Sequence, residues 1–174
     1  MKSDVVNIDN RGNGFGDALE QTVKAAQFRG LDHKQALQLR LCTEELLSLA
    51  RSVTGELQAI FWLESEGMRF DLHLSTKTVM DKEKRNNLIA SATSRRNEAA
   101  GSFLGKLRDA FEAAIVSEPD NSIPDDAMDD MVNREIEIPE WDEYEQSILR
   151  SVANEVRIAI RGSMVDMTVS KCFE

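Results

Sequence analysis

The stretch LCTEELLSLARS, Leu41 to Ser52, gathers the side chains best placed for chemistry. Its leucines recur at helical spacing, and on an α-helix positions i and i+4 share a face. Glu45 and Leu49 therefore project together, with Ser48 beside them. Glu45 offers a carboxylate, Ser48 a hydroxyl, and Leu49 no polar atom at all. Taken alone, a glutamate on a helix is most often simply solvated.

The other reactive residue types are scattered. Cys42 lies in the same leucine-rich helix and reads as core filler; Cys42 and Cys172 share no C-x-x-C spacing and suggest reduced thiols. His33 falls in the first turn of a helix and His73 in mid-strand between Leu72 and Leu74, where an exposed sheet-face histidine is the default. Neither has a Cys or His neighbour at metal-ligand spacing, so no metal site is expected. GNGFG, Gly12 to Gly16, could gather N–H groups around an anion ahead of a helix, but it lacks the lysine and hydroxyl of a phosphate loop and reads as a turn. No G-x-S-x-G elbow is present.

Composition narrows the classes further. With 174 residues and 41% hydrophobic content, the chain suits one domain with a real core. No apolar run approaches the roughly 20 residues of a membrane helix, and the start MKSDVVNIDN lacks the order of a secretory signal, so a cytoplasmic location is expected. The net charge is -10, yet residues 118–145 carry twelve acids against Arg134 alone, a local -11 that leaves the remainder near +1. Acid on this scale repels phosphate backbones, which argues against a nucleic-acid partner. The basic residues of 82–108 are interleaved with acids and read as solvated helix faces, although Ala99, Gly101 and Gly105 would permit the close helix approach of a homodimer.

These residues need elements to position them. Asp4 to Asp9 predicts a short first strand. Asp17 with Glu20 predicts a helix over about 18–29, ended by Gly30, and Asp32 with Gln35 opens a second helix whose Ala36, Leu39, Thr43, Leu46, Ala50 and Val53 share one face. LQAIFWLES and MRFDLHLST form a hairpin through Glu66-Gly67. Helices are expected at about 81–98 and 101–117, then an acidic stretch with Pro119 and Pro124, a strand in REIEI, and a helix from Pro139 and Trp141 to about Asn154. A second hairpin, Val156 to Ile160 and Val165 to Val169 through RGS, closes the chain. The sum is an α+β two-layer sandwich: one domain over 1–174, a mixed, mostly antiparallel sheet with helices on one face, and an inserted region at about 77–140.

That element order resembles the histidine-kinase-like ATPase superfamily of histidine kinases, DNA gyrase and the anti-sigma-factor serine kinases, the last group most of all. LRLCTEELLSLARS is similar to that group's E-E-A-L-T-N-A-x-x-H helix. The hairpin follows at the expected distance, and SILRSVANEVRIAIRGSMVDMTVSK resembles its closing helix and strands, with R-x-x-x-N-E-V and a terminal lysine-bearing strand. The likeness covers most of 1–76 and 141–172. It implies that Glu45 is the general base, acting on a water or a seryl hydroxyl, and that residue 49 should be a magnesium-binding asparagine. Leu49 has no oxygen for a cation that demands an octahedron of them.

Two more family boxes are altered. Asp-x-Gly-x-Gly, which holds adenine, falls on Thr76, Lys77, Thr78, Val79 and Met80, and threonine tolerates the family's positive-φ turn poorly. Gly-x-Gly-Leu, which cradles phosphates, falls on Glu143, Tyr144 and Glu145. Two unit charges 4 Å apart repel by about 4 kcal/mol at an effective dielectric near 20, about a thousandfold in affinity before screening.

The resemblance thus implies a regulatory domain of anti-sigma-factor type with ATP binding weakened or lost. It would act on a protein partner such as a sigma factor or its regulator, with no cofactor. Two alternatives stand beside it. One is an active ATP-dependent serine protein kinase using ATP and magnesium, with replacement ligands from Ser48, Ser75 or Lys77. The other is a structural homo-oligomer.

Overall fold

A computed structural model describes residues 1–54, 58–100 and 143–174. In chain order the elements are β1 (Val6–Asp9), α1 (Phe15–Phe28), α2 (His33–Thr54), β2 (Gln58–Glu66), β3 (Arg69–Lys77), α3 (Lys82–Ser91), a 3₁₀ turn (Glu98–Ala100), α4 (Glu143–Val152), β4 (Glu155–Arg161) and β5 (Met164–Cys172). The helix expected at 101–117, the REIEI strand and most of the acidic stretch lie outside the described residues.

The five strands form one sheet in the order β1-β2-β3-β5-β4, and every pairing between them is antiparallel. Period-two alternation decides its two faces. Phe61, Leu63, Phe70, Leu72, Leu74, Val156, Ile158, Ile160, Val165, Met167 and Val169 are buried on one side. They join Ala18, Leu39, Leu46, Ala50, Leu88 and Leu149 from the four helices in a single apolar cluster. Each large side chain so buried contributes about 1.5–3 kcal/mol. The opposite face carries Trp62, His73, Thr168 and Arg157 in one cross-strand row. The result is the α+β sandwich with helices on one face; the parallel component shrinks to an isolated bridge between Asn97 and Ile158.

The helix ends show why the elements stop where they do. α1 ends in a Schellman motif: Gly30, at φ 74, donates its N–H to Gln27 O, and Leu31 donates to Ala26 O. Asp32 and Gln35 then form the expected capping box, each backbone N–H bonded to the other's side chain at 3.0 and 2.8 Å. Between the helices, the buried Thr22 and Thr43 hydroxyls meet at 2.9 Å.

Three expectations are corrected. α1 begins at Phe15, not near residue 18, because Gly14 rather than Asp17 occupies the N-cap. The first hairpin turns at Gly67 and Met68, one residue later than Glu66-Gly67. The helix expected over 81–98 stops at Ser91. There the backbone turns extended at Ala92, and Thr93 exchanges bonds with Val156: its N–H donates to Val156 O at 2.8 Å and its Oγ1 accepts Val156 N–H at 2.7 Å.

Candidate functional site

α2 delivers Glu45, Ser48 and Leu49 as its periodicity predicts. Ser48 is exposed and Glu45 half-buried, while Leu49 packs against the apolar cluster. The position that the resemblance would give to magnesium is thus taken by a side chain that packs against the core. Two turns before Leu49, Cys42 is fully buried, and burial pushes its thiol up to about 11, with Lys171 pulling the other way. A neutral thiol in that setting is core, as expected, and not a nucleophile.

The strand residues assigned to the adenine box have structural occupations. Thr76 is buried, and its hydroxyl donates to Gln58 O at 2.9 Å, tying β3 to β2. Thr78 is buried as well, and its backbone N–H donates to Ser163 O at 2.9 Å. Among the described non-glycine residues a positive φ occurs only at Arg95, so residues 76–80 do not make the glycine turn.

The replacement donors divide between the two sides of the sheet. Ser75 alternates with Thr76 and lies on the face away from α2, where its hydroxyl donates to Asp166 Oδ1 at 2.7 Å. Lys77 falls on that same outer side and is exposed. Of the three replacement donors, Ser48 alone shares a layer with Glu45. Glu143 and Glu145 stand in the first turn of α4, and their side chains lie outside the described residues. The residues present do not fit a magnesium nucleotide: the ligand at 49 is apolar and the hydroxyls at 76 and 78 face backbone groups.

The segments that carry the family likeness at the C-terminal end serve as joints. Lys171 donates from Nζ to Val152 O at 2.5 Å, placing a cation on the C-terminal end of α4, where the helix dipole favours it. Asn154 accepts the Cys172 N–H on Oδ1 at 2.8 Å and donates its own N–H to Ser170 O.

GNGFG is a turn with three of its N–H groups already taken: Gly12 donates to Asp9 O, Phe15 to Gly12 O and Asn13 to the Asp9 carboxylate. The Asp9 carboxylate accepts from Arg11 N and Asn13 N at 2.8 and 3.1 Å and from Asn13 Nδ2 at 2.7 Å. The Asn13 side chain leads in holding its pKa below the usual carboxylate range. An internal carboxylate thus fills the place an anion would take. Gly14 is required for a separate reason: it sits at φ 80, and a Cβ there would lie 2.0 Å from Asn7 O.

His33 is exposed at the start of α2. His73 is half-buried, not exposed: its ring stacks on Trp62 at 4.9 Å and 11°, and Nδ1 meets Thr168 Oγ1 at 3.2 Å. Burial lowers its pKa, with Glu64 and Asp71 opposing. Beside it Asp71 accepts from Ser170 Oγ at 2.5 Å and from Arg69. Burial pushes the Asp71 carboxyl up, but those donors outweigh it and hold the carboxyl low. These cross-strand partners bond one another, while His73 Nε2 and Arg157 Nε on the same face are buried with no hydrogen-bond partner among the described residues. Among the described residues no group of three or more His, Cys, Asp or Glu could hold a metal ion.

Sequence reasoning missed two features. One is the sealing of β4: Asn97 donates from Nδ2 to Ile160 O at 3.0 Å and accepts Ile160 N–H on Oδ1 at 2.8 Å. The other is an open groove of about 510 Å³ between β1 and α1, whose walls include Val5, Asn7, Gly14, Asp17, Gln21 and Lys24. The turn residues at 12–16 were the only local signal for the groove, and nothing local signals the seal. Neither a scan against protein-family models nor a search of curated proteins returns a match to this chain.

Proposed function

We propose that this chain is a regulatory domain of anti-sigma-factor type, built on a histidine-kinase-like ATPase scaffold and acting by protein contacts, with ATP binding weak or lost. One observation carries the reading: Leu49, one turn beyond Glu45, is partly buried and packs against the apolar core where magnesium coordination would need an oxygen. The buried, internally bonded Thr76 and Thr78 support it. With its metal and adenine anchors gone, Glu45 lacks a phosphate to act beside, and the scaffold is left with its surfaces. A partner such as a sigma factor or its regulator is the class this scaffold would engage.

A thermal melt with and without magnesium ATP tests the reading. A ligand at 100 times its Kd stabilises by about 2.7 kcal/mol, which for a chain this size raises the midpoint by roughly 5–10 °C. The expected result is a shift below about 1 °C. A rise of several degrees, abolished in Glu45→Ala, would restore the active kinase.

A further inference from the structure

The sheet face away from the four helices holds one ionisable group whose charged form its surroundings do not accommodate. His73 sits between Trp62 on β2 and Thr168 on β5, in the cross-strand row that ends at Arg157. Its ring lies nearly flat on Trp62, and Nδ1 meets the Thr168 hydroxyl at 3.2 Å. A hydroxyl can donate or accept, so Thr168 satisfies Nδ1 in either neutral tautomer and in the imidazolium. Nε2 is sealed from solvent and has no hydrogen-bond partner among the described residues. A neutral ring leaves one uncharged atom unbonded there, whereas the imidazolium leaves a charged N–H, which costs more.

The neighbouring charges do not remove that cost. Glu64 on β2 favours the imidazolium, yet it is engaged by Lys2 at 2.9 Å and by Trp62 Nε1 at 3.3 Å. Asp71 on β3 favours it too, and is held by Arg69 and Ser170. Asp166 on β5 is bonded by Ser75 and Arg161. Arg157 on β4, with Glu155 3.7 Å from its Nε, opposes a further cation, and so does Lys2. An aromatic face attracts a cation, but Lys2 already lies over Trp62, 5.5 Å from its centroid.

We propose that His73 is a proton-operated latch on Trp62: protonation drives the imidazole out of the row to reach water, and the ring of Trp62 is uncovered on the outer face of the sheet. The side chain of His73 is half-buried, so a change of rotamer carries Nε2 to solvent while β3 stays paired with β2 and β5. Burial holds the His73 pKa below its ordinary 6.5. Such a group contributes stability that is complete above the unfolded pKa and is lost as pH falls from there through the folded value. The latch therefore opens on acidification.

A Trp141→Phe, His33→Gln background leaves Trp62 and His73 as the single residues of their kind. On titration from about pH 8 to about pH 4, the His73 ring protons followed by NMR should turn over below 6.5, and acrylamide quenching of Trp62 should rise with the same midpoint. Arg157→Gln removes an opposing cation and should move that midpoint up; Glu64→Gln removes a favouring carboxylate and should move it down. Across the titration the melting midpoint should fall at least about 2 °C further than in His73→Gln, whose amide does not titrate. If His73→Gln does not fold, the opposite shifts of the other two variants decide. A His73 midpoint at or above 6.5, Trp62 quenching that stays flat through the titration, or shifts of one sign in both variants would overturn the proposal.

Discussion

The two edges of the sheet are finished by opposite means. At β4, Thr93 and Asn97 supply side-chain and backbone partners to Val156 and Ile160, so the outermost strand is bonded on both sides. At β1 the turn covers Asp9, crowds Asn7 and stops, leaving a groove walled by α1. An unpaired edge invites association, and proteins normally suppress it. One edge is thus sealed by a dedicated side-chain amide reaching across the sequence, and the other by the backbone of its own turn, over Asp9 and Asn7 only.

Gly14→Ala should break the β1 side hardest. The new methyl meets Asn7 O head on at a left-handed φ, so the turn must move, at a cost of about 3 kcal/mol or more. At about 2–4 °C per kcal/mol the melting midpoint falls by roughly 6–12 °C, readable by circular dichroism. A midpoint within a degree of wild type would mean that the turn does not lean on the strand.

Asn97→Ala tests the other edge. Removing the amide orphans the Ile160 N–H and C=O on a buried strand, an expected loss of about 2 kcal/mol together with a new tendency to aggregate as β4 becomes an open edge. If light scattering stays flat and stability is unchanged, β4 needs no seal and the contrast between the edges dissolves.

The smallest effect is a proton. Asp9 holds the turn against β1 and its folded pKa is lowered, first through the Asn13 side chain. A depressed carboxyl stabilises the fold above its unfolded pKa, and that contribution is lost as pH falls through the folded value. Acidification below the usual carboxylate range should therefore lower the exchange protection of Arg11 and Asn13, taken relative to the intrinsic rate at each pH, before it touches that of Ile160. Simultaneous loss at both edges would show that the turn is not a separate unit.

Much of this architecture was legible in the residues. The alternation of Phe70, Leu72 and Leu74 fixed which side of β3 is buried, and the Asp32–Gln35 box marked the start of α2 through bonds that span three residues. The α2 face was equally readable, so Leu49 was placed correctly beside Glu45. Features made by distant partners were not. Asn97 reaches Ile160 across 63 positions, and that pairing leaves no periodic trace. Strand order is likewise invisible to alternation, so nothing local identified β1 and β4 as the edges. Ser75 and Lys77 looked like spare ligands because they are near Thr76 in sequence, yet a strand sends neighbours to opposite faces.

The seal on β4 also says where this protein resists change. Thr93 and Asn97 grip Val156 and Ile160 across 63 positions each, so a one-residue insertion or deletion between Thr93 and Asn97 would leave one clamp facing the wrong backbone groups and force the pair out of step with β4.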